Sequence, residues 1–140
     1  VVGGSAGACG TVHGPVRAPA WRSAALAGGE AYLEHLHGSF SGRLMWTPIG
    51  LTRPMVLAGI GAAISPQVAR RVLPLASLAM LADGALGFGL HLQGIKRMPG
   101  GFANLRFNIT MGPPLFAPLL FSAVGLLGLL AALLRRKESH

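Results

Sequence analysis

Four carboxylic acids and five histidines carry nearly all the acid–base and ligating chemistry open to this 140-residue chain, which has a single cysteine. Three of the acids, Glu30, Glu34 and Asp83, and three of the histidines, His35, His37 and His91, fall within patterned sequence. Asp83, Gly87 and His91 are spaced i, i+4, i+8, which puts a carboxyl and an imidazole on one face of one helix. Glu30, Glu34 and His37 follow at i, i+4, i+7 on another. In an apolar setting these groups suit haem ligation, with His91 and either His35 or His37 as axial ligands of a haem b. They equally suit a quinone site or proton relay built on a polar intramembrane cluster of Glu34, Asp83 and His91. Structural hydrogen bonding across a helical bundle is the remaining use.

Other chemistries find little support. Glu34-His35-Leu36-His37 contains a lone Glu-x-x-His, whereas di-iron bundles need two such motifs and further glutamates, so no metal site is expected. Cys9 lacks the partners of a disulfide, redox or zinc motif. Ser39 and Ser41 stand near histidines without a nucleophile elbow, and no Walker loop or dinucleotide fingerprint is present. No catalytic residue is assigned.

The elements that must position these residues are helices in an apolar chain. Leu115 to Leu134 runs twenty residues without a charge and ends on Arg135-Arg136-Lys137. At about 1.5 Å per residue it reaches the roughly 30 Å of a bilayer's hydrocarbon core. Hydrophobic residues make up 51% of the chain and charged residues only 11%, against about 25% charged in soluble domains. The expected fold class is an all-α integral membrane protein, a bundle of three to four transmembrane helices. The helices are expected at about 24–38, 44–64, 66–93 and 115–135, within a helical domain covering 23–137. Flanking them would be a flexible tail at 1–22 and a C-terminal tail at 138–140.

Within this frame Ser23 and Gly38 mark the ends of the first helix. Pro54 reads as a natural first helical residue that interrupts the second segment. Ser65-Pro66 reads as a cap followed by the first residue of the third helix, and Pro74 as a potential kink. Gly59 with Ala63, and Gly84 with Gly87, are small residues that admit a neighbouring helix. The glycine-rich face of the third helix would also admit a flat cofactor. Residues 94–114 read as a long loop, in which Asn108-Ile109-Thr110 matches a glycosylation acceptor pattern.

The formal net charge is +8, but its cations flank apolar segments and do not form a basic face with interleaved aromatics, so nucleic acid is not an expected partner. With four spans, seven cations gather on the side of the termini and five on the other, which places both termini in the cytoplasm. These features together point to a non-catalytic accessory or anchoring subunit of a larger complex, a redox or energy-converting assembly of a bacterial inner membrane. Its partners would be the lipid bilayer and other membrane subunits. The alternatives are a haem b-binding electron-transfer subunit and, behind it, a small proton-coupled transporter.

Overall fold

A computed structural model describes residues 18–137, and every regular element among them is helical. The long helices are α1 (Ala18–His37), α2 (Thr47–Ile64), α3 (Pro66–Arg97) and α5 (Ala117–Lys137), with a short α4 (Leu105–Met111) between the last two. Single 3₁₀ segments at Arg43–Trp46 and Gly101–Asn104 lead into α2 and α4. Three segments are long and apolar enough to cross a membrane: Arg43–Ile64, Pro66–Arg97 and Ala117–Leu134, with mean hydropathy of 1.2, 1.6 and 2.3. The more polar α1 is not among them.

Several local expectations hold. α1 ends at His37, one residue before Gly38. Ser65 caps α3, its hydroxyl accepting from the Val68 amide at 3.4 Å, with Pro66 in the first turn. Ser65→Ala should therefore lower stability by about 1 kcal/mol, readable as a small fall in the melting temperature of the detergent-solubilised protein.

Other boundaries move. α1 begins at Ala18, so Ser23 lies inside the helix and 18–22 are not a tail; Cys9 and Glu138 lie outside the described residues. α2 begins at Thr47 with Pro48 in its first turn, where a missing N–H costs nothing, and runs through Pro54. The exposed position of Pro54 leaves the opposite, packed face of α2 free of its ring. α3 continues to Arg97 through Pro74. The stretch read as a loop at 94–114 holds the last turn of α3, a left-handed turn at Gly100 and Gly101, and α4.

The long helices form an antiparallel ring. α1 packs on α2, α2 on α3 and α3 on α5, and α5 closes back on α1. The pairings fix the direction of each hairpin. Gly28 lies against Thr52 and Gly59 against Trp21, so α1 runs lengthwise along α2. Gly61 faces Val68, while Ser77 donates to the Met55 sulfur at 3.8 Å. Gly125 lies on the backbone of Ser77 and Leu81, and Gly84 on that of Pro118 and Ser122. Met55, Ser77 and Met80 are completely buried where α2, α3 and α5 converge. Gly59 meets α1 as a packing residue should, but Ala63 is exposed and the two do not form one interface. Gly59 already faces Trp21 near the start of the described α1, so Ala63, one turn further along the antiparallel α2, lies past the described end of that helix.

Asn108 is fully buried, and its side-chain amide donates to the carbonyls of Pro99 (3.1 Å) and Gly101 (2.8 Å). It ties the turn after α3 to α4. The glycosylation pattern it belongs to is thus occupied structurally, since an acceptor asparagine has to be exposed.

Candidate binding cavity

The chemistry-bearing residues converge on one cavity of about 540 Å³ walled by α1, the start of α2, the second half of α3 and the start of α5. Along α3 its wall runs from Asp83 to Arg97, fifteen residues whose fourteen steps of about 1.5 Å span roughly 21 Å. Phe121 and Gly84 line it, as do Pro113, Pro114 and Arg97. Glu30, Glu34 and His35 face it from α1. The antiparallel ring brings this about: the C-terminal half of α1 runs beside the start of α2, and the last turns of α3 run beside the start of α5.

All three members of the expected polar cluster, Glu34, Asp83 and His91, line this cavity. Among the described residues none of the three carboxylates there makes a hydrogen bond or ion pair with protein. The cluster is a set of groups facing one space, not a bonded network. Asp83 also lines a second, shallower groove against Gly50 and Leu51 of α2. Counting the histidines as neutral, three carboxylates against the single guanidinium of Arg97 give the lining a formal charge of −2.

His91 has a fixed ring. Its Nδ1 lies 2.8 Å from the Pro114 carbonyl oxygen. A carbonyl can only accept, so Nδ1 carries the proton and donates, and Nε2 of the neutral ring is left as an acceptor. Pro114 precedes α5, and its carbonyl accepts both from the Ala117 amide at 3.2 Å and from the imidazole, using its two lone pairs.

His35 is the second notable ring. Its Nδ1 is buried without a hydrogen-bond partner, which is costly for a polar atom unless something satisfies it. The ring lies 6.2 Å from Phe40, which stacks on Trp46 at 4.3 Å and 20° and sits 5.7 Å from Tyr32. Ser39 and Phe40 hold positive φ of 57° and 46°, a conformation costing about 1–3 kcal/mol per residue. The aromatic stack offsets that strain and fixes the turn that ends the α1 wall.

His37, the other imidazole considered for haem ligation, is exposed and not part of the lining. Two residues separate it from His35 by 200° around the helix, so both cannot face one cavity. Gly84 and Gly87 lie against Pro118 and Ser122. Both also line the cavity, so their missing side chains let α5 approach while bordering that space, and Gly89 has nothing within 4 Å of an added Cβ. Among the described residues no three of His, Cys, Asp and Glu come together as metal ligands would.

Arg97, Gln93 and the Pro114 carbonyl belong to the site and were not anticipated. A signal for Arg97 exists, since the stripe of Asp83, Gly87 and His91 continues through Gly94 to Arg97 at i+11 and i+14. Nothing local marks the Pro114 carbonyl, which acquires its role only through the α3–α5 hairpin. Compared with protein-family models, with curated proteins and with solved structures, the chain matches none.

Proposed function

We propose that this chain is an integral membrane protein and serves as a non-catalytic accessory or anchoring subunit of a larger assembly, of redox or energy-converting kind, in a bacterial inner membrane. The observation that supports this is the outer face of α1. That helix lies lengthwise on α2, at the depth of a candidate span, yet His37 is exposed on it outside the cavity lining, and Glu30 and Glu34 at the edge of the cavity are exposed as well. Charged groups at such a depth are expensive against lipid tails and are retained where protein or a water-filled space receives them. A neighbouring subunit seated on α1 meets that need. Both termini are assigned to the cytoplasm from the seven-to-five division of the cations.

The test is extraction from native membranes with a mild detergent. The chain should co-purify in stoichiometric amount with larger subunits, and His37→Glu, outside the cavity lining, should abolish the association while membrane insertion persists. Recovery as an isolated chain, or release by alkaline carbonate, would remove the proposal.

A second reading, a haem b subunit, is favoured by the His91 ring. Donation of one ring nitrogen to a backbone carbonyl is how ligating histidines are commonly oriented, and Nε2 is directed away from that bond. It predicts a Soret band in the purified chain that disappears in His91→Ala.

A further inference from the structure

We infer that the cavity between α1, α3 and α5 binds the ring of a quinone-type redox lipid, with the ring near His91 and the apolar tail leaving along α3 into the bilayer. This deepens the proposed function and rests on its membrane assignment. Size is the first argument, since about 540 Å³ falls within the 300–1,000 Å³ of small-molecule sites. Access is the second. Leu44, Leu86, Leu90 and Leu120 belong to the lining yet are exposed, Leu86 by 50% and Leu120 by 51%. The exposed part of the lining thus sets leucines beside Glu34, Gln93 and Arg97, a mix that suits a lipid-borne ligand with an apolar tail and a polar head.

The polar groups provide the third argument. A quinone ring carries two opposed oxygens that accept hydrogen bonds when oxidised and donate them when reduced. The lining offers both complements: Nε2 of His91 and the carboxylates accept, while Arg97 and Gln93 donate. The buried, unpartnered Nδ1 of His35 is a further group that a ligand oxygen would satisfy. The ligand must also be close to neutral. Haem b would bring two propionates to a lining with three carboxylates and one guanidinium, an arrangement in which like charges repel at low dielectric.

Two tryptophans allow a direct test on the full-length chain in detergent, because quinones quench indole fluorescence. Trp46 adjoins the lining residues Met45 and Thr47, whereas Trp21 packs on Gly59 towards the opposite end of α2. Titration with a decyl-tailed benzoquinone should quench saturably. The saturable component should persist in Trp21→Phe and be lost in Trp46→Phe. His91→Asn keeps a side-chain N–H for the Pro114 carbonyl but removes Nε2. It should weaken quinol binding by about fivefold to tenfold, the worth of one hydrogen bond, with an unchanged melting temperature.

Equal, non-saturating quenching of both tryptophans would mean partition into the micelle and would overturn the inference. So would a Soret band from a haem occupying the site, or displacement of the quinone by a lipophilic amine that binds more tightly. Each of these results is obtained on the isolated chain. Loss of the partner subunits alone would count against the accessory role and leave the quinone result standing.

Discussion

Gly125→Leu will drive α3 and α5 apart. A Cβ at Gly125 would stand 2.5 Å from the Ser77 carbonyl oxygen and 2.7 Å from the Leu81 amide nitrogen. Both are backbone atoms of a continuous helix, so no rotamer change relieves the overlap. The remaining response is separation of the two helices, which opens the convergence at Met55, Ser77 and Met80. Overpacking a core costs 1–3 kcal/mol where side chains can yield, and here about 3 kcal/mol or more is expected. The apparent melting temperature in detergent should fall by about 10 °C or more. Gly89→Leu adds the same side chain to α3 where nothing lies within 4 Å and should leave the melting temperature unchanged. Equal effects of the two substitutions would show that the α3–α5 approach is not close.

Asn108→Ala is expected to free the segment joining α3 to α5. It removes two donated hydrogen bonds and leaves the Pro99 and Gly101 carbonyls without their side-chain partner. Pro99 is exposed and Gly101 half-buried, so water can reach the freed carbonyls, and at about 0.5–1.5 kcal/mol per hydrogen bond a destabilisation of about 1–3 kcal/mol follows. Limited proteolysis should then cut near the Gly100-Gly101 turn, with the helices on either side surviving as fragments. Asn108→Asp should do at least as much damage, because a carboxylate would face two carbonyl oxygens. Asn104→Ala, at an exposed position in the same segment, should have little effect on cleavage. Resistance of Asn108→Ala to protease would show that the turn holds without its clamp.

The parts of this fold that could be read from sequence are those set by local chemistry. Ser65-Pro66 signals a helix start through a hydroxyl that can cap and a ring that needs no N–H. The uncharged run up to Leu134 signals a long apolar helix, and i, i+4, i+8 spacing puts Asp83 and His91 on one side. Misreadings occurred where tertiary packing overrides local preference. Pro54 sits inside α2 with its ring on the exposed face, away from the packed Met55 and Ala58, a placement that reading the residue as a start signal could not anticipate. Residues 18–22 read as the end of a tail, but Ala20, Ala24 and Ala27 are buried and carry the helix back to Ala18. The site follows the same division. The histidine and its carboxylate were visible as a helical stripe, but the carbonyl that fixes the imidazole tautomer belongs to a residue 23 positions away.

The polarity of α1 bears on how the protein is made. α1 leaves the ribosome before α2, yet it is not among the segments apolar enough to partition into lipid by themselves. Its small-residue face, Ala20, Ala24 and Ala27 with Gly28, is complementary to a surface that exists only once α2 is in place. Under the proposed membrane assignment, α1 would wait at the translocon or the membrane surface until α2 follows, and the two would be released into the bilayer as a hairpin. The cavity acquires its α1 wall at that moment. Lengthening the turn at Ser39-Phe40 would delay the pairing, and in a time course of insertion α1 would remain accessible to water-soluble labels longer than α3 or α5.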